Sequence, residues 1–369
     1  MAVREPAFSK PSLPRTITLV IAAIGALFLV DTFLAALERS QSHLEAERLY
    51  HEGQEFLLQG LGEGAAEQFQ AALFISRDNK EYQLALSQAF TAADRVADAE
   101  ATLAGLLERD ADGGPANLAM ARVLAREGRL VEAISYYHRA IYGQWGKNAV
   151  EPRVQVRFEL VNLLVAHHSN EGLLAELLPL EEEAPDDLST RMKLAPLFMA
   201  AGSPVRAADL FHEVLQMEPR NPDARVGLGE TEFARGNYRG ALSDYQTALR
   251  FRSNVKDADS IRHRMEICNQ VLALDPSQRG LSAEERHRRS VRLLDLILQN
   301  IGSCSVASET LVATATKALK EPVSASRQSA AYESNMELAD KLWQARRTEC
   351  NGALSAPEFL SLTLSKLSQ

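Results

Sequence analysis

Residues 221–254 read NPDARVGLGETEFARGNYRGALSDYQTALRFRSN, and the spacing inside this stretch decides the fold. Two helical stripes, 228–233 and 241–251, are joined by the short connection 234–238. Gly229, Ala241 and Ala248 fall where two packed helices must approach closely, while Leu228, Tyr238, Tyr245 and Leu249 fill the remaining space. Such a helix hairpin cannot bury its apolar face alone, so further copies of it are expected along the chain.

The copies are present. Thirty-four residues upstream of Gly236, Ala241, Tyr245 and Ala248 stand Gly202, Ala207, Phe211 and Val214, with Pro219 closing the unit. The next step of 34 gives His168, Leu173, Leu177 and Leu180, in register but without the small residues, with Pro185 matching Pro219. Forty residues earlier the set returns as Gly128, Ala133, Tyr137 and Ala140, which places six extra residues near 142–147, in a loop. Two further steps of 34 give Asp94, Ala99, Leu103 and Leu106, then Gly60, Ala65, Phe69 and Ala72. Six copies occupy residues 46–255.

A 34-residue helix-turn-helix period with this small/large pattern resembles the tetratricopeptide repeat (TPR) family, in its membrane-anchored bacterial form. Leu228-Gly229 matches the family's Leu-Gly pair and Gly53 holds the same slot in the first copy, whereas the family's early Trp is missing from every copy. The resemblance implies an all-α chain: an N-terminal transmembrane helix, a TPR-like α-solenoid of about six hairpins, and a C-terminal helical cap. It also implies that first helices line a concave groove. Carried onto this sequence, the inward fifth and ninth positions are Tyr50 and Gln54, Leu84 and Gln88, Leu118 and Arg122, Phe158 and Asn162, Met192 and Pro196, Val226 and Glu230. The twelfth adds Leu57, Thr91, Ala125, Val165, Met199 and Phe233. Each of these positions could equally serve packing between neighbouring first helices. A groove that is mainly apolar, with a thin line of amides, suits an amphipathic helix or an extended apolar peptide. Members that hold a terminal carboxylate use Lys and Asn at the fifth and ninth positions; here the fifth is always apolar, so that use is not expected. Pro196 removes one backbone donor within a first helix and is expected to kink it.

The chain has 369 residues and a formal net charge of −9. The repeats carry twenty-one basic and thirty-one acidic residues, ten net negative, which disfavours a nucleic-acid partner. Residues 16–37, TITLVIAAIGALFLVDTFLAAL, are long enough to cross a bilayer, for which about 20 residues suffice. Arg4, Lys10 and Arg15 precede the span, so the positive-inside rule keeps residues 1–15 cytoplasmic and exports the repeats to the periplasm. A cleaved signal peptide would need small residues in an A-x-A pattern; Ala35-Ala36-Leu37 does not supply it, so an uncleaved anchor is expected. Asp31 marks the outer interface of the span.

Beyond residue 255 the period fades into a helical cap, residues 256–369. Residues 259–274 read as one helix over the end of the stack, ending at Asp275-Pro276. Ser282 to Glu285 form a capping box that opens a helix to about Asn300, with Val291, Leu294, Ile297, Leu298 and Ile301 on its apolar face. Its cluster Arg286, His287, Arg288, Arg289 and Arg292 reads as a solvated face paired with repeat acids, or as a patch for anionic headgroups. Two more helices, 307–320 and 328–348, would bring Cys304 and Cys350 to one end, where a disulfide is geometrically allowed; three cysteines do not establish the pairing. Cys268 reads as a small buried apolar group.

The chemistry of an enzyme is not legible. Gly60-Leu61-Gly62-Glu63-Gly64 lies between helices and no lysine follows it, there is no Cys-x-x-Cys or His-Glu-x-x-His, and His167-His168 falls on a turn. No cofactor, metal or small-molecule substrate is expected. The sequence reads as a membrane-anchored scaffold or adaptor that binds a protein or peptide. The alternatives are a chaperone-like holder of apolar segments during export and a non-catalytic accessory subunit of an envelope glycan or secretion complex.

Overall fold

The computed structural model describes residues 13–147, 149–169, 172–251, 258–301, 309–349 and 356–367. All named elements there are helical, and the one β-type contact is an isolated bridge between Gly113 and Gln144. The chain divides into two compact units, residues 1–163 and 164–369.

The first unit begins with α1 (Leu13–Leu58), followed by α2 (Gly62–Ile75), α3 (Lys80–Ala92), α4 (Val96–Arg109), α5 (Gly114–Arg126), α6 (Leu130–Tyr142) and most of α7 (Val150–Ala166). The expected span at 16–37 and the first helix of the first hairpin are one helix of 46 residues, about 69 Å long at 1.5 Å per residue. Nothing between residues 37 and 46 is Pro or Gly, so no breaker separates them. The expected tail, 1–15, lies outside the described residues up to position 12, and 13–15 are already helical.

The second unit holds the rest of α7, then α8 (Leu173–Glu183), α9 (Leu188–Ala200), α10 (Pro204–Met217), α11 (Pro222–Ala234) and α12 (Tyr238–Phe251). Its C-terminal part comprises α13 (Ala258–Leu274), α14 (Ala283–Ile301), α15 (Glu309–Lys320), a 3₁₀ turn at Ala325–Arg327, α16 (Gln328–Glu349) and α17 (Glu358–Leu367).

The repeat register is visible in the backbone. Gly60, Asp94, Gly128, His168, Gly202 and Gly236, the six turn positions, all have φ between +52° and +75°. At each, the next amide reaches back five residues to a helical carbonyl, from Leu61 to Phe56, Arg95 to Phe90, Arg129 to Leu124, Ser169 to Leu164, Ser203 to Phe198 and Asn237 to Glu232, at 2.8–3.0 Å. This is the closure that ends a helix with one left-handed residue, and it tolerates Asp or His at some cost where Gly is absent. The eighteen positions read as the inner face of the second helices, from Ala65 through Leu173 to Ala248, are at most 4% exposed. Where a residue is small, its reason is steric: a Cβ on Gly229 would lie 2.7 Å from the Tyr245 ring, and one on Gly53 2.6 Å from the equivalent Phe69.

The six-residue insertion is not confined to a loop. The 143–149 connection is longer than the four-residue connections 110–113 and 218–221, and α7 is 17 residues against 13 in α3, α5, α9 and α11. Trp145 folds back to donate from its indole to the Ala140 carbonyl at 2.7 Å and covers Gly114, where a Cβ would lie 2.4 Å from its ring. Helix α9 runs on through Pro196 with the same length as its counterparts.

In the second unit the C-terminal helices continue the core of the last hairpin. Phe233, Tyr238, Ala241 and Tyr245 cluster with Ile261, Ile267, Cys268 and Val271 of α13 and with Phe359 and Leu362 of α17. Helix α14 buries Leu293, Leu294, Ile297 and Ile301 against α15, α16 and α17. Among the described residues, Arg288 and Arg289 of the arginine cluster pair with Glu285 of their own helix rather than with repeat acids, and Arg289 caps α13 by donating to the Leu272 and Asp275 carbonyls at 2.7 and 3.0 Å. Cys268 is buried, and burial pushes its thiol up to about 11. Cys304 and Cys350 lie outside the described residues.

Candidate protein-binding face

Fifth, ninth and twelfth positions of a first helix share one face, because they are spaced four and three residues apart. Helix starts are fixed by caps that keep the copies aligned: Asn79 accepts from the amides of Glu81 and Tyr82, Asp187 from Thr190, and Asn221 from Ala224.

In the first unit the three rows differ in exposure. The ninth positions, Gln54, Gln88, Arg122 and Asn162, are all exposed. The fifth are half-buried at Tyr50, Leu84 and Phe158 and buried at Leu118; Leu57, Thr91 and Ala125 of the twelfth row are half-buried. Packing between neighbouring first helices therefore takes up much of the apolar area, and the outermost line is polar. Tyr50 stacks on Tyr82 at 4.8 Å and donates to Glu81 at 3.0 Å; burial, then that carboxylate, raises its hydroxyl to about 12. Arg122 binds Glu159 through two hydrogen bonds of 2.9 and 2.6 Å, which neutralises the one cation of the row.

Beside Leu84 lies a cavity of about 420 Å³, lined by Lys80, Leu84, Leu106, Pro115 and Trp145 among others. The sequence alone places the insertion only in a loop; Trp145 gives it a wall of this cavity. Lys80 and Asp110 pair at 2.8 Å on its rim.

In the second unit Met192 and Met199 are half-buried and Pro196 is exposed, but the last hairpin is closed. Phe233 is 8% exposed, with the Arg264 guanidinium 4.5 Å from its ring centroid. Val226 packs against the α13 cluster. Glu230 accepts from the Tyr245 hydroxyl at 2.7 Å and lies 3.8 Å from Arg264, which also pairs with Glu358 of α17 at 3.1 Å. Burial and then Glu230 drive the Tyr245 hydroxyl far above its ordinary range. The residues that close this end, Arg264, Glu358, Phe359 and Leu362, are not among those the repeat register points to; the apolar spacing of Leu360, Leu364 and Leu367 is too short a signal to find α17.

Among the described residues no group of His, Cys, Asp and Glu is arranged to hold a metal ion. His167 and His168 are exposed on their turn.

Residues 84–149 and residues 198–252 each match the Tetratricopeptide repeat family. These stretches are tetratricopeptide repeats, and six left-handed turns in register carry the same hairpin along the chain. No curated protein matches it. Among solved structures it is similar to YrrB, a TPR protein with an unusual peptide-binding site, at 18% identity over 54% of this chain and 99% of that one, with a TM-score of 0.43. It is likewise similar to pilF of Pseudomonas aeruginosa at 15% identity over 61% and 99%, TM-score 0.43. The type IV pilus biogenesis factor PilW gives 15% over 59% and 98%, also with a TM-score of 0.43.

Proposed function

We propose that this is a membrane-anchored, non-catalytic scaffold whose repeats, residues 46–255, bind a segment of another protein on the first-helix face of the first unit. The observation that carries the reading is the exposed row Gln54, Gln88, Arg122 and Asn162, one residue from each of four successive first helices, set between half-buried apolar side chains. An amide side chain both donates and accepts, so a ladder of them suits the backbone of an extended segment, whose apolar side chains would enter the space beside Leu84 and Phe158. Because Glu159 already holds Arg122, the face does not select a carboxylate. Helix α1 supports the anchor: its apolar part is long enough to span a bilayer, and Leu27, Phe28 and Leu29 are at least 67% exposed. The basic residues ahead of it support a cytoplasmic N-terminus with the repeats on the opposite, periplasmic side.

Co-purification from membranes tests this. Changing Gln54, Gln88 and Asn162 together to alanine is expected to lose the partner, while Gln246→Ala on the exposed side of α12 keeps it. Retention of the partner by the triple variant would reject the face.

A further inference from the structure

The uninterrupted α1 does more than tether. We infer that the end of the first hairpin nearest the span, Leu44 on α1 with Phe74 and Ile75 at the end of α2 and Arg77 in the turn that follows, is a second membrane contact that rests in the lipid headgroup layer and sets how the first unit stands on the bilayer. This deepens the anchor reading above and rests on it.

Level above the bilayer can be counted along α1. Because α1 is continuous from the span into the hairpin, distances along it count from the hydrocarbon edge near Leu37. Ala46, nine residues on, sits about 13 Å outside that edge. Ala46 clusters with Ala72 of the antiparallel α2, so Phe74 and Ile75 lie back toward the membrane by about 3–4.5 Å, at a level of about 9–10 Å. The headgroup layer is about 5–7 Å deep on each side. A helix tilt of about 20° toward α2, which lies 8–10 Å to the side, lowers that end by about 3 Å and closes the gap.

The chemistry matches that level. Phe74 is 77% exposed and Leu44 64%, large apolar groups that nothing else in the first hairpin covers, and the Arg77 guanidinium lies 6.0 Å from the Phe74 ring centroid. An aromatic ring with a cation over it is suited to the boundary between acyl chains and phosphates. The turn itself is neutral, since Arg77 and Lys80 are offset by Asp78 and Glu81. The contact is therefore apolar rather than electrostatic, and zwitterionic lipid suffices. Leu58 and Leu61, exposed at the far end of the same hairpin, point away from the span and provide an internal control.

The full chain in phosphatidylcholine vesicles carrying a headgroup spin label tests this, with fluorescence read as the difference from the parent, whose Trp145 and Trp343 form the background. Phe74→Trp is expected to lose as large a share of its emission as Ser42→Trp, which marks the headgroup level on α1, with no change on raising salt, while Leu58→Trp keeps its emission. Phe28→Trp, in vesicles brominated on the acyl chains, reports the anchor separately. Quenching at position 28 with none at 74 would overturn the second contact and leave the anchor standing. No quenching at position 28 would overturn both. A blue shift at position 74 without headgroup quenching, the sign of a protein partner or a second copy, would also overturn it.

Discussion

The same repeat positions are open in one region of this protein and closed in another. On α3 and α5 the ninth-position side chains face solvent, whereas on α11 Val226, Glu230 and Phe233 are taken up by α13 and α17. The hairpins themselves hardly differ: both present a first helix of 13 residues and the same left-handed turn. The difference lies in the helices that come after them in the chain. A first-helix face becomes core when the chain supplies its own helices to cover it, and remains a surface where it does not. A groove drawn from repeat register alone would therefore include the face of α11, which α13 and α17 cover.

The contrast can be broken most strongly at Phe233. Phe233→Ala removes a buried ring under Arg264 and is expected to cost about 3 kcal/mol, while Gln88→Ala at the open face shifts stability by no more than about 0.5 kcal/mol. Urea denaturation of the two variants measures the difference; equal effects would mean the two faces are alike. Next in size is Gly229→Ala, whose new methyl meets the Tyr245 ring and should cost about 2 kcal/mol by overpacking, visible as a lowered melting temperature.

The cap itself can be loosened through its buried carboxylate. Asp275 is fully buried; burial pushes its pKa up, but hydrogen bonds from Lys366 and Ser277 outweigh this and hold it below the usual carboxylate range. A depressed folded-state pKa contributes stability above the ordinary value of about 3.9, lost as pH falls below it. Amide exchange in α17 should therefore accelerate as pH drops from about 4 toward 2, after correction for the intrinsic rate. Lys366→Ala should bring faster exchange at neutral pH and cost about 1–2 kcal/mol, discounted because the lysine is one-third exposed. A smaller effect than these is expected at Arg122→Ala, below about 1 kcal/mol, since that pair lies on the surface.

These outcomes also mark what the sequence could disclose. The turns at Gly60, Asp94, Gly128, His168, Gly202 and Gly236 were legible because close helix packing demands small and large residues at fixed offsets, and that demand is local. Even the copy with Leu173, Leu177 and Leu180 kept its register, because burial needs only that the face be apolar. The continuity of α1 was legible in principle from the lack of any breaker between residues 37 and 46. The closure of the last hairpin was not. It depends on α17, a ten-residue helix joined to α13 and the turn that follows it by Arg264 to Glu358 and Asp275 to Lys366, contacts 94 and 91 residues apart that no periodicity encodes. The polar character of the candidate face was hidden for a related reason. Residues 84, 88 and 91 share a face in any helix, but only the neighbouring first helix decides which of them it covers.

The most direct test of the open and closed faces is a paired photocrosslinking measurement in cells, with a photoreactive amino acid placed at Gln88 in one variant and at Phe233 in another, at matched expression. A defined adduct to a single protein from position 88, lost on competition by the parent chain and absent from position 233, is the predicted result. An adduct from position 233 with none from position 88 would contradict the account.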